Sequence, residues 1–171
     1  MNKKGISAVV ATVLIILITV AAVTIIWAAI IPMIKEQTVG GTTCLDAVSQ
    51  ISIGTDGGYT CVNIATGSDI GESTDGLGNL SLQLGLGAAD FDLAGVQIII
   101  SVAGDTYSHE ASGVGLDANE QVILKLTSSD FTGTDTNVSQ ADKVEIAPIV
   151  SVGNTEKTCD VAASATLSVC G

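Results

Sequence analysis

The chain has 171 residues, enough for one ordinary domain or a small domain with an appendage. It has no arginine, 3% aromatic residues and a formal net charge of -12, and every acid lies at or after Glu36. No basic patch exists to neutralise phosphates, which excludes nucleic-acid binding, and a long uncharged apolar run near the start excludes a fully soluble cytoplasmic protein.

Residues 6–34 form that run, 29 residues rich in Ile, Val, Ala and Leu. As a helix it would reach roughly 43 Å, whereas a bilayer core of about 30 Å needs only about 20 residues. It carries no amphipathic stripe, so a helix here is expected to be buried on all sides, in lipid or in protein. Thr12, Thr19 and Thr24 are expected to bond back to their own helix, and Pro32 to end or kink it. Lys3 and Lys4 precede the span and an acidic, Cys-bearing region follows it, which places the short head in the cytoplasm and the carboxyl-terminal domain outside. A secretory signal has an apolar core of about 7–15 residues, so the run reads as a signal anchor.

The segment KKGISAVVATVLIILITVAAVTIIW resembles the amino-terminal region of archaeal type IV pilins, the group that includes archaellins. The resemblance implies a leader, Met1–Gly5, removed by a prepilin peptidase between Gly5 and Ile6. Ala8 stands where many relatives have Pro, and Val10 stands at the fifth mature position, where bacterial pilins usually carry Glu. That second departure favours the archaeal branch. The resemblance further implies a helical homopolymer assembled through residues 6–31, a pilus assembly ATPase and a membrane platform protein as partners, and residence in the membrane before assembly. Small residues such as Ala8, Ala11, Ala21, Ala22, Ala28 and Ala29 permit close helix approach. The division implied is a leader at 1–5, a transmembrane and filament-core helix at 6–37, and an extracellular head at 38–171.

From Thr38 the pattern changes to short alternating runs. Leu80, Leu82, Leu84 and Leu86 alternate with polar or small residues, as do Val96, Ile98, Ile100 and Val102, and Val122, Leu124 and Leu126. Further strands are expected at Val48–Ile53, Tyr59–Ala65, Val144–Val152 and Ala165–Val169. Turns are expected at Asp56-Gly57-Gly58, Asp75-Gly76, Gly104-Asp105 and Gly153-Asn154. The fold class expected is α+β: a long hydrophobic helix followed by an antiparallel all-β head of immunoglobulin-like sandwich type, with Gly40-Gly41 as a hinge.

Cys44, Cys61, Cys159 and Cys170 all lie in the head, none in a CxxC motif. Zinc is poorly supported and disulfides are the better reading outside the cell. Three pairings exist; Cys44–Cys61 with Cys159–Cys170 is favoured because each pair flanks a hairpin or turn. Asn79-Leu80-Ser81 and Asn137-Val138-Ser139 match the N-glycosylation acceptor pattern. No catalytic constellation is present: His109 reads as a surface strand residue, and the acidic loops Asp69–Asp75 and Asp130–Asn137 lack EF-hand spacing. No enzyme, metal or cofactor is expected.

The expected function is a structural pilus subunit, major or minor, serving adhesion or surface attachment. Two alternatives stand beside it. One is an archaellin, although Ser7-Ala8-Val9-Val10-Ala11-Thr12 lacks the GxGT stretch typical of that group. The other is an uncleaved, single-pass anchored protein that binds through its extracellular domain.

Overall fold

A computed structural model describes residues 8–63, 78–132 and 137–171, with backbone alone at 35–37. Helix α1 spans Ala8–Gln50. Among the described residues nine strands follow: β1 (Ile51–Ile53), β2 (Cys61–Asn63), β3 (Asn79–Leu86), β4 (Leu93–Val102), β5 (Asp105–Ser112), β6 (Gln121–Thr127), β7 (Ala141–Val152), β8 (Thr155–Thr158) and β9 (Ala163–Thr166). The chain divides into two compact units between Val39 and Gly40, a point that lies within α1.

In the first unit the helix satisfies its own backbone except opposite Pro32, as suits a segment meant for lipid or a helical bundle. The hydroxyls of Thr12, Thr19 and Thr24 donate to the carbonyls of Val9, Ile16 and Ala21, each at 2.9 Å, as expected of polar groups in an apolar span. Pro32 does not end the helix. Its ring removes one amide donor, so the Ala28 carbonyl lacks its ordinary partner, and transmembrane helices tolerate that loss where neighbouring groups compensate.

In the second unit α1 continues to Gln50, so Gly40-Gly41 lie inside the helix rather than at a break, and Val48–Gln50 are helical with only Ile51–Ile53 extended. Each glycine costs about 1 kcal/mol relative to Ala in a helix interior. Packing offsets that cost. Gly40 and Ala47 are buried and Cys44 and Val48 half-buried, a spacing of three and four that lines one helical face. Ala47 is fully buried with Val150 and Cys159, and Cys44, Val48, Phe91 and Val152 surround them.

The strands form two antiparallel sheets. In the first, β3 pairs along its length with β6 and on its other side with β1 and then β2. In the second the order is β5-β4-β7-β8, with β9 also on β7. The β7 strand takes β9 along its first half and β8 along its second. Period-two alternation explains the core. Leu80, Leu82 and Leu84 of β3 and Val96, Ile98 and Ile100 of β4 are each 0% exposed and share one cluster with Val144 and Ile146 of β7. Each such side chain contributes roughly 1.5–3 kcal/mol by leaving water.

Two-residue turns set the hairpin registers. Ala103-Gly104 joins Val102 to Asp105 with φ of 52° and 96°, the doubly left-handed geometry that suits the strand twist. Gly78 has φ 77°, and a Cβ there would lie 2.6 Å from the Asn63 carbonyl and 2.7 Å from the Ser139 side chain, so only glycine fits this start of β3.

Candidate assembly surface and the disulfide-closed head

Two features carry the functional reading, one in each unit. The first is the apolar helix. From Thr12 to Ile30 every residue is exposed, with Ile25 at 69%, Ile18 at 66% and Trp27 at 64%. The helix is long and apolar enough to cross a membrane. So continuous an apolar surface is stable only where lipid or protein displaces water from it. Val23, Thr24, Trp27, Ala28, Ile31 and Pro32 line a shallow apolar notch where a neighbouring side chain can seat. The expected cleavage pair Gly5 and Ile6 lies outside the described residues.

The second feature is the pairing of the four cysteines. Cys44 bonds Cys159 with Cα atoms 5.4 Å apart, and Cys61 bonds Cys170 at 5.1 Å. The local pairing Cys44–Cys61 with Cys159–Cys170 is therefore corrected: the bridges span 115 and 109 residues and interleave along the chain. The physical reason lies in the fold. The end of α1 packs beside Cys159 in the Ala47–Val150 cluster, bringing Cys44 there. At the other bridge the carboxyl-terminal segment runs along β2. The Val62 amide donates to Ser168 and the Cys170 amide to the Val62 carbonyl, each at 2.9 Å, with Val62 and Val169 in a parallel bridge. A bridge closing about 100 residues is worth close to 5 kcal/mol on the chain-entropy model. Disulfides of this kind suit an oxidising, extracellular setting.

The remaining candidates are dispersed. Asn79 opens β3, half-buried and paired in register with Asn63 on one side and Thr127 on the other. Asn137 precedes the single helical turn Val138–Gln140, and the Ser139 hydroxyl donates to its side-chain oxygen at 2.6 Å. The two sequons approach each other, because Ser139 packs against Gly78, next to Asn79.

His109 lies in β5, half-buried, with its ring nitrogen Nδ1 2.7 Å from the Asp130 carbonyl and its ring edge-on to Phe131. The Asp130 carboxylate accepts the Thr127 amide at 2.7 Å and the Thr127 hydroxyl at 2.9 Å, which caps a turn. The loop Asp69–Asp75 lies outside the described residues, as do 133–136 of the second acidic loop. Among the described residues no cluster of His, Cys, Asp or Glu suits a metal.

Sequence reasoning missed the docked end of α1 and the interleaved bridges. Gly40, Cys44, Ala47, Val48 and Ile51 at helical spacing were the available signal. No family model, no curated protein and no solved structure matches the chain.

Proposed function

We propose that the chain is a structural subunit, major or minor, of an archaeal type IV pilus-like surface filament that serves adhesion or surface attachment. The observation that carries the reading is the 12–30 stretch of α1, apolar and exposed around its whole circumference, joined in sequence to a disulfide-closed head. A bilayer core needs about 20 residues of such a helix. The excess length of the 6–34 apolar run and the all-round apolar surface suit a helix that leaves lipid for a bundle of its own copies. Leader removal between Gly5 and Ile6 licenses that transfer, and the assembly ATPase and membrane platform protein drive it.

In the same reading the head is an immunoglobulin-like sandwich that coats the fibre. Its two antiparallel sheets with a common core support this. The head carries 17 acids against Lys125, Lys143 and Lys157, about -14, so like-charged heads repel within a Debye length of about 10 Å at 0.1 M salt. Heads face solvent; helices hold the filament.

Electron microscopy of cells whose only copy carries Val13→Asp tests this. Val13 is 50% exposed in the apolar stretch, and an unpaired carboxylate in an apolar bundle costs several kcal/mol. Filaments are expected to vanish while the head remains folded. Wild-type cells that hold the protein as an uncut membrane species, with no filament containing it, would favour the anchored binding protein instead.

A further inference from the structure

We infer that the head is covalently closed end to end by its two interleaved bridges, and that either bridge alone is enough to stop its ends from being pulled apart. The inference goes beyond the filament reading and does not depend on it, since it holds equally for a membrane-anchored protein.

The order along the chain is Cys44, Cys61, Cys159, Cys170, with the first bonded to the third and the second to the fourth. Seventeen residues separate Cys44 from Cys61 and eleven separate Cys159 from Cys170. These two short segments and the two bridges make one small covalent ring. Everything between Cys61 and Cys159, including β3 to β8, hangs from that ring as a loop held at both ends. Tension entering along α1 reaches Cys44 and passes through Cys159 to the carboxyl terminus without crossing the loop. The second route, through Cys61 and Cys170, bypasses the loop as well. Local pairing would put the whole 61–159 segment on the force path, and losing either bridge would lengthen that path further. Interleaving makes the two bridges redundant, which suits a domain exposed to shear where unfolding at the chain ends invites proteolysis.

The test is single-molecule stretching of the full chain held in detergent, with one handle on an azide-bearing residue at position 39 and the other on a tag after Gly171. Val39 is 53% exposed, so the handle is accessible. With both bridges intact the shortest covalent path is about 17 residues, and the handles should never separate by more than roughly 65 Å. Cys61→Ser with Cys170→Ser should leave that limit unchanged. Cys44→Ser with Cys159→Ser should raise it only to about 23 residues, roughly 80 Å. Full reduction should release about 132 residues, roughly 450 Å. Because the limit is covalent, it is read even in a variant that fails to refold. An oxidised chain extending to roughly 360 Å, the length set by local pairing, would overturn the inference, as would a single-bridge variant that extends as far as the reduced chain.

Discussion

The amide of Cys159 donates to the carbonyl of Pro148 at 2.9 Å. Proline has no amide to give a neighbouring strand, yet Pro148 sits fully buried within β7. It is tolerated because β7 changes partner there. Ile146 is the last residue paired with β9 and Ile149 the first paired with β8, so Pro148 falls in the gap where only its carbonyl is asked for. The bond that fills the gap fixes Cys159 beside β7, within disulfide reach of Cys44 on α1.

The interleaved bridges should contribute non-additively to stability. Once one is closed, the other closes a ring of only about 28 residues, so removing either first should cost roughly 3.5 kcal/mol. Removing the second should then cost close to 5 kcal/mol more. Urea unfolding of Cys44→Ser/Cys159→Ser, Cys61→Ser/Cys170→Ser and the quadruple variant measures all three steps. If the bridges were local, the first double variant would break both at once and match the quadruple variant.

How much of this was legible in the sequence follows from how local each signal is. The alternating leucines of β3 and the Val-Ile alternation of β4 are period-two patterns within one strand, and both strands stand where that pattern places them. The back-bonding threonines are equally local. By contrast, β8 is the exposed tetrapeptide TEKT, whose register comes from β7 and not from any alternation of its own. Residues Thr38 to Thr43 contain two glycines and β-branched residues, poor helix formers, and remain helical because Cys44, Ala47 and Val48 pack beyond them. Disulfide pairing over more than 100 residues depends on where two distant segments meet. No hairpin rule reaches that far.

The head should gain stability with salt. Among the described residues the one salt bridge is Lys143 to Glu145 at 2.6 Å, exposed enough to be worth little, whereas about -14 of net charge repels itself. Raising ionic strength from 0.1 M to 1 M shortens the Debye length from about 10 Å to about 3 Å and should remove repulsion more than attraction. Thermal melts in sodium chloride should show Tm rising by several degrees over that range. A flat or falling Tm would mean that unseen attractions dominate the head's electrostatics.

Of the two sequons, Asn137 is the expected glycan acceptor. Asn79 is held in β3 between two partner strands, so its sequon backbone is engaged on both sides. Asn137 precedes a single helical turn and is not in a strand. Glycopeptide mass spectrometry of surface protein should find hexose-bearing Asn137 peptides that vanish in Asn137→Gln, while Asn79→Gln leaves the intact mass unchanged apart from the substitution. Modified Asn79 with bare Asn137 would reverse the assignment.

Polymerisation should reside in the helix alone. Residues 38–171 retain both disulfides and both sheets, so this fragment is expected to be a folded, soluble monomer by size-exclusion chromatography with circular dichroism. Fibres formed by the fragment would place the assembly contacts in the head.

The most direct measurement is the mass and amino-terminal sequence of the protein in filaments sheared from the cell surface. The account predicts a chain that begins at Ile6, with Gly5→Val blocking both the cut and the filaments. An intact Met1 start in such filaments would contradict it.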